Sequence, residues 1–158
     1  MITLQSIRVR VYYEDTDAGG IVYYANYLRF FDRARTDWLR SAGVSHRELS
    51  QVEGLTLVVT DCAVQYRRPA RLDDLLVVEV GLADPATDIG RASLRFSQRA
   101  VLSEGGEVLA TGTVRVACVD LRAGRPVALP ERVMKKVSEQ ISSRVSTLVT
   151  SDGTARRQ

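Results

Sequence analysis

The sequence predicts an α+β fold in which a five-stranded antiparallel sheet wraps around a long central helix. Five segments have strand-like periodicity, and one segment has helical periodicity with apolar residues around most of its circumference. A helix with that much apolar surface must be enclosed by other elements. Short turns join the later strands, so we expect an antiparallel meander.

The first strand and the central helix flank a short acidic segment. Residues 6–14 alternate between apolar and polar side chains, which is typical of a half-buried strand. Residues 25–42 carry apolar side chains at three- and four-residue spacing, which predicts the helix. Asn26 is its expected N-cap and Gly43 its expected C-terminal stop.

Four further strands are predicted after a polar link. Residues 55–66 are apolar on both faces, so we expect this strand to be central or covered on both sides. Residues 75–82, 91–102 and 107–119 follow, with turn signals between them. A short helix is expected near residues 131–145.

The length and composition fit one domain. A chain of 158 residues can bury a single core, and 45% hydrophobic with 26% charged residues is ordinary for a globular protein. Residues 1–145 form the predicted domain, and residues 146–158 are expected to be a disordered tail. A single sheet leaves exposed edges, so we expect dimerisation through an edge strand.

Several classes of function are disfavoured by composition. No apolar run approaches the roughly 20 residues of a membrane span, and the N-terminus lacks a secretory apolar region. The 22 basic residues are scattered among 19 acids, unlike the clustered charge of a nucleic-acid binder. One His and no C-x-x-C argue against a metal. Cys62 and Cys118 lie in apolar runs, which predicts small core residues of a reduced, cytoplasmic protein.

The segment YYEDTDAGG, residues 12–20, crowds Glu14, Asp15 and Asp17 ahead of two glycines. An EF-hand loop would need an Asp or Asn at position five and a Glu at position twelve. Counting from Asp15, those positions are Gly19 and Asn26, so a calcium loop is disfavoured.

A chemical role for this segment is better supported by the residue types. A helix N-terminus presents unpaired N–H groups, and Gly19-Gly20 allows a ligand to approach the backbone closely. A carbonyl oxygen held by such N–H groups is polarised, and a neighbouring carboxylate could attack its carbon or deprotonate a water. The pattern therefore predicts acyl hydrolysis.

The segment YYEDTDAGGIVYYANYLRFFDRARTDWLR closely resembles the hotdog-fold acyl-CoA thioesterases of the 4-hydroxybenzoyl-CoA thioesterase class. It is most similar to the branch associated with the Tol–Pal cell-envelope system. The resemblance runs from about Arg8 to Met134 and includes QYRRPARLDDLL and GTVRVACVD. It implies a hotdog fold and a cytoplasmic hydrolase that needs no cofactor and no metal.

The resemblance also implies catalytic roles for two residues. The catalytic carboxylate falls on Asp17, and the oxyanion site falls on the backbone N–H near Tyr24, with Glu14 and Asp15 structural. The Tol–Pal-associated branch usually has His at position 24, whereas aryl-CoA members carry Tyr there. An imidazole can shuttle protons near neutral pH and a phenol cannot, so only a backbone role tolerates this change.

The predicted substrate-binding residues are Gly19, Gly20, Asp32, Arg67, Arg68 and Arg91. Aryl-CoA members carry Asp at position 32, but an ion pair with Arg29 or Arg35 explains Asp32 equally simply. The arginines, together with Arg71, are candidates to bind the phosphates of coenzyme A, although each is also typical of a solvated turn.

The sequence thus predicts an acyl-CoA thioesterase acting as a homodimer or homotetramer whose subunits share each active site. An acyl carrier protein is a possible partner. A non-catalytic acyl-CoA or acyl-carrier-protein binding module remains an alternative. A hotdog dehydratase would need a histidine base, and His46, expected at the surface, lies far from the acidic segment. The acyl group stays open: short-chain, long-chain or aryl.

Overall fold

The computed structural model describes residues 1–153, and the side chains of residues 1–147. The strands are β1 (Ile2–Arg10), β2 (Leu55–Tyr66), β3 (Leu75–Leu82), β4 (Ser93–Leu102), β5 (Val108–Asp120) and the two-residue β6 (Arg125–Pro126). The helices are α1 (Asn26–Ser41), α2 (His46–Glu53), α3 (Pro85–Asp88) and α4 (Glu131–Gly153), with one 3-10 turn at Tyr13–Asp15. The helices described include none long and apolar enough to cross a membrane.

All strands form one antiparallel sheet in the order β1-β3-β4-β5-β2, and β6 adds to β5. The predicted meander holds for β3, β4 and β5 only. The chain leaves β2 at one edge and crosses the sheet to β3, which lies between β1 and β4. Turn signals locate the bends in a sequence but do not say which strands pair, so this crossing could not be read from them.

The central helix α1 packs against the sheet as predicted. The side chains of Phe30, Phe31 and Trp38 are fully buried, and the Trp38 ring meets the edge of Phe96 on β4 with 5.5 Å between centroids. A Cβ at Gly112 on β5 would lie 2.7 Å from the Phe31 ring, so only glycine allows this close approach. The α+β fold with a sheet curved around an enclosed helix is confirmed.

A polar bridge within the core also joins α1 to the sheet. Arg35 Nη1 donates to Gln98 Oε1 at 2.8 Å, and Gln98 Nε2 donates to the Phe31 carbonyl at 3.0 Å. Arg35 also forms an ion pair with Asp32 at 3.2 Å. Burial lowers the pKa of Arg35, while the Asp32 charge acts in the opposite direction.

The prediction for β2 is wrong within this chain. This strand is an edge strand with mostly exposed side chains, and Cys62 is exposed, whereas Cys118 on β5 is buried as expected. An apolar sequence on both faces indicates that a surface can be covered, but it does not distinguish a central strand from an uncovered edge.

Three local details also differ from expectation. Ala25, not Asn26, is the N-cap of α1, because the Asn26 side chain is engaged elsewhere. The polar link forms helix α2, whose N-cap Ser45 accepts a hydrogen bond from the Glu48 amide. Helix α4 runs to Gly153 rather than ending near residue 145, since residues 146–152 contain no Gly or Pro. Residues 154–158 of the predicted tail lie outside the described residues.

Candidate active site

The acidic loop, residues 14–20, begins within the 3-10 turn and ends at the segment that leads into α1. Asp15 is buried and anchors this connection. Its Oδ2 accepts from the Tyr12 amide at 2.8 Å, and its Oδ1 accepts from Asn26 Nδ2 at 2.6 Å. Its backbone carbonyl accepts from the Tyr23 amide at 2.8 Å. These contacts give Asp15 a structural role.

Asp17, by contrast, is exposed to solvent. Its Oδ1 accepts from the Gly19 amide at 2.8 Å, which orients the carboxylate. The Asp17 amide donates to the Ile21 carbonyl and the Gly20 amide donates to the Asp17 carbonyl, each at 3.0 Å, so the loop closes tightly. A Cβ at Gly19 would lie 3.0 Å from Asp17 Oδ1, and Gly20 has a φ of +73°. Both glycines therefore serve the geometry of this carboxylate.

The segment between the acidic loop and α1, residues 21–25, is called the lead-in to α1, and it carries two unpaired amides. The Asn26 amide donates to the Tyr23 carbonyl at 2.8 Å, and the Tyr23 amide is bound by Asp15. Between them, the amides of Tyr24 and Ala25 donate to no backbone acceptor within residues 1–153. Such N–H groups at the positive end of a 16-residue helix favour an anionic oxygen.

Exposed tyrosines surround this lead-in. The ring of Tyr24 contacts Tyr23, with 4.9 Å between centroids, and Tyr66 at the end of β2, with 6.3 Å. The pKa of Tyr23 is raised chiefly by a side-chain hydrogen bond with Tyr24, and the charge of Asp17 contributes less.

The predicted arginine turn, residues 67–71, lies beside the acidic loop. The Val22 amide donates to the Ala70 carbonyl at 2.9 Å, and Ile21 forms an antiparallel bridge with Arg71. Arg68 forms an exposed ion pair with Glu107 at 3.1 Å, which contributes little to stability. The exposed Arg67 side chain has no ion-pair partner among the described residues.

The structure thus brings Asp17, Gly19, Gly20, Tyr24, Arg67 and Arg68 to one end of the sheet. Arg91 lies at the other end, where β4 begins and β5 finishes. Asp32 is two turns along α1 and forms its ion pair with Arg35, so its substrate contact stays a prediction. His46 is exposed at the start of α2, as expected.

Sequence reasoning missed two contributors to this site. Asn26 was predicted as a helix cap, but its side chain bonds Asp15, and the spacing of these residues carried no signal for that contact. Tyr66 donates from its hydroxyl to the Tyr24 carbonyl at 2.8 Å across 42 positions of sequence. Contacts between distant segments depend on which strands and helices meet. Among the described residues, no three or more His, Cys, Asp or Glu side chains are grouped to hold a metal ion.

This chain is similar to known thioesterases. Residues 11–137 match the model of the thioesterase-like superfamily. A Haemophilus influenzae protein named acyl-CoA thioesterase YbgC is 46% identical over 128 residues, covering 81% of this chain and 90% of the relative. A 1,4-dihydroxy-2-naphthoyl-CoA hydrolase of Thermosynechococcus vestitus is 30% identical, covering 89% of this chain and 95% of its own length.

Solved structures share the architecture. A probable thioesterase from Bartonella henselae superposes with a TM-score of 0.71 at 33% identity, covering 80% of this chain and 98% of that one. A Staphylococcus aureus protein solved in complex with CoA has the same fold, with a TM-score of 0.78 at 20% identity, covering 87% of this chain and 83% of that one. The chain belongs to the thioesterase-like superfamily and has its hotdog fold.

Proposed function

We propose that this protein hydrolyses acyl-CoA thioesters with Asp17 as the catalytic carboxylate and the Tyr24 amide as the oxyanion donor. The observation that carries this proposal is an exposed carboxylate, oriented by the Gly19 amide, on the loop that leads directly into two unpaired amides at the start of α1. A carboxylate that reaches the carbonyl carbon of a thioester held by such amides can catalyse acyl transfer to water. The superfamily and its acyl-CoA-hydrolysing relatives support the same reaction.

Two routes use these groups. In the first, Asp17 takes a proton from water as the water oxygen attacks the thioester carbon, and the carbonyl oxygen becomes an oxyanion held by the Tyr24 amide. In the second, an Asp17 oxygen attacks the carbon and forms a mixed anhydride, which water then hydrolyses. In both routes the C–S bond breaks and the sulfur leaves as the CoA thiolate, which takes up a proton. The products are the free acid and CoA.

Two arginines of the turn suit the phosphates of coenzyme A. Arg67 is exposed beside the acidic loop without an ion-pair partner among the described residues, and its guanidinium can bind a phosphate through two parallel hydrogen bonds. Arg68 can exchange its exposed ion pair with Glu107 for a phosphate at small cost. An acyl carrier protein presents the same thioester at the end of a phosphorylated arm, so it is a second possible carrier.

We also propose that two chains pair through their β2 edges. The exposed apolar side chains of Val58 and Val59 lie on this edge, next to the exposed Cys62. Antiparallel pairing would bring the Tyr66 end of one β2 beside the Leu55 end of the other. Since Arg91 is near the Leu55 end of its own sheet, the partner subunit's Arg91 would approach the acidic loop. A shared site would thus place Arg91 where it can bind a phosphate of coenzyme A, as predicted.

A free Cys62 thiol fits a reducing cytoplasmic location.

The dimer is expected to persist at micromolar concentration, with a mass in sedimentation equilibrium of about twice 17.5 kDa. Replacing Val59 by Lys puts a charge on each edge and is expected to shift the protein toward monomer. Val52 is also an exposed valine but lies on α2, away from the strand edge, so Val52→Lys is the matched control. A wild-type mass near 17.5 kDa would contradict the pairing.

The proposed reaction is tested with a panel of short-chain, long-chain and hydroxybenzoyl-CoA thioesters and one acyl-carrier-protein thioester. We expect release of many thiols per subunit from at least one member, measured with a thiol-reactive dye. Because Cys62 is exposed, protein without substrate sets the baseline. Tight binding of the panel without thiol release would contradict the enzyme and favour a binding module.

A further inference from the structure

The two unpaired amides of the α1 lead-in belong to two peptide units whose carbonyls are both bound. In a planar trans peptide the C=O and the N–H point in opposite directions, so a bond to the carbonyl fixes the direction of the N–H. The Tyr23 carbonyl accepts from the Asn26 amide, which fixes the Tyr24 N–H. The Tyr24 carbonyl accepts from the Tyr66 hydroxyl at 2.8 Å, which fixes the Ala25 N–H.

We infer that Tyr66 is a positioning residue whose hydroxyl holds the Tyr24–Ala25 peptide and aims the Ala25 N–H as a second oxyanion donor. The inference rests on the proposed thioesterase function. Ala25 directly precedes the first residue of α1, where the helical hydrogen bonds do not yet restrain the peptide on both sides. Without the hydroxyl, the Tyr24 carbonyl would bond to mobile water.

Rigid parts of the fold hold the Tyr66 ring. Tyr66 is the last residue of β2 and is paired with Ala110 on β5. Its ring meets the Tyr27 ring edge-on with 5.6 Å between centroids, and Tyr27 in turn packs on the buried Phe30 at 5.9 Å. A hydroxyl that extends from such a support can fix the peptide it binds, because the ring itself has little freedom.

The Tyr66 hydroxyl also stays protonated under ordinary conditions. Burial raises its pKa, and the neighbouring ionisable groups of Tyr24 and Cys62 raise it further. A protonated phenol can donate to the Tyr24 carbonyl across the working pH range. The ring is 48% exposed, so removal of its hydroxyl leaves no unfilled space in the core.

The test is Tyr66→Phe, which removes the hydroxyl and keeps the ring. We expect kcat to fall about tenfold, less than the 10²–10³-fold of deleting an oxyanion donor outright, with KM within about twofold of wild type. Tyr13→Phe is the matched control, because Tyr13 lies at the same end of the fold and its hydroxyl bonds nothing among the described residues. That variant should keep kcat within about twofold, and both should melt like wild type.

A second measurement follows the peptide directly. In ¹⁵N relaxation, the Ala25 amide should have an order parameter near 0.85 in wild type and in Tyr13→Phe, and one nearer 0.6 in Tyr66→Phe. An unchanged kcat, or a raised KM with unchanged kcat, would overturn the inference, and so would an Ala25 amide as rigid in Tyr66→Phe as in wild type. If wild type releases no thiol from any thioester, the proposed function fails separately, and the order parameter still decides whether Tyr66 holds the peptide.

Discussion

Replacing Asp17 by Asn is expected to lower kcat by about 10²–10⁴-fold, the usual contribution of a positioned acid–base or nucleophilic group. The amide oxygen of Asn can still accept the Gly19 amide, so the loop should keep its shape. What the variant lacks is the negative charge and basic oxygen that both proposed routes use. The assay is thiol release under saturating substrate.

The matched control for this variant is Glu14→Gln, a change of another carboxylate on the same acidic loop. Glu14 is exposed, and its side chain makes no hydrogen bond or ion pair within the described residues. It should turn over at the wild-type rate, and both variants should melt within a few degrees of wild type. Turnover by Asp17→Asn within a factor of three of Glu14→Gln would remove Asp17 from the mechanism.

A heavy oxygen that enters Asp17 from oxygen-18 water would identify the nucleophilic route in the wild-type enzyme. If Asp17 attacks the thioester, water hydrolyses the anhydride, and attack on the aspartyl carbon leaves a heavy oxygen in the protein. If Asp17 is a base, or if water attacks the acyl carbon of the anhydride, the heavy oxygen appears only in the acid product. Mass spectrometry of the peptide that contains Asp17, after one turnover and after many, distinguishes these results.

The sequence predicted the parts of this site that lie close together along the chain. Asp17, Gly19, Gly20 and the start of α1 occupy one short stretch, and the φ of +73° at Gly20 is one that glycine adopts readily. The hotdog fold and the family were predicted from the same stretch and are confirmed. Turns and helix starts can be predicted from the sequence because they depend on residues that are neighbours in the chain.

Contacts between residues that are distant in the chain could not be predicted from the sequence in the same way. Nothing in residues 55–66 indicated that β2 would lie at an edge, or that Tyr66 would reach the Tyr24 carbonyl. On β4 the buried side chains of Leu94 and Phe96 face inward, and Gln98 occupies the next inward position. The role of a polar residue on an inward face depends on the residue that it bonds. For Gln98 these partners are Arg35 and the Phe31 carbonyl, both on α1.

Gln98→Leu is expected to lower the free energy of unfolding by about 2–3 kcal/mol. Gln98 is 2% exposed and the Arg35 that it binds is 5% exposed, so water cannot replace the lost acceptor. The Phe31 carbonyl also loses the Gln98 donor. For a chain of this size the melting temperature should fall by about 5–10 °C. Thermal and urea unfolding measure both quantities.

The double variant Arg35→Met, Gln98→Leu tests whether this cost comes from Arg35 Nη1, which loses its acceptor in Gln98→Leu. Replacing both members of a buried polar pair by apolar residues is often neutral, whereas removing one member is costly. Asp32 would lose its partner, but its side chain is 67% exposed and water can solvate it. We therefore expect the double variant to regain most of the stability that Gln98→Leu loses. A double variant no more stable than Gln98→Leu would mean that the lost packing of Gln98, and not the unsatisfied Nη1 donor of Arg35, sets the cost.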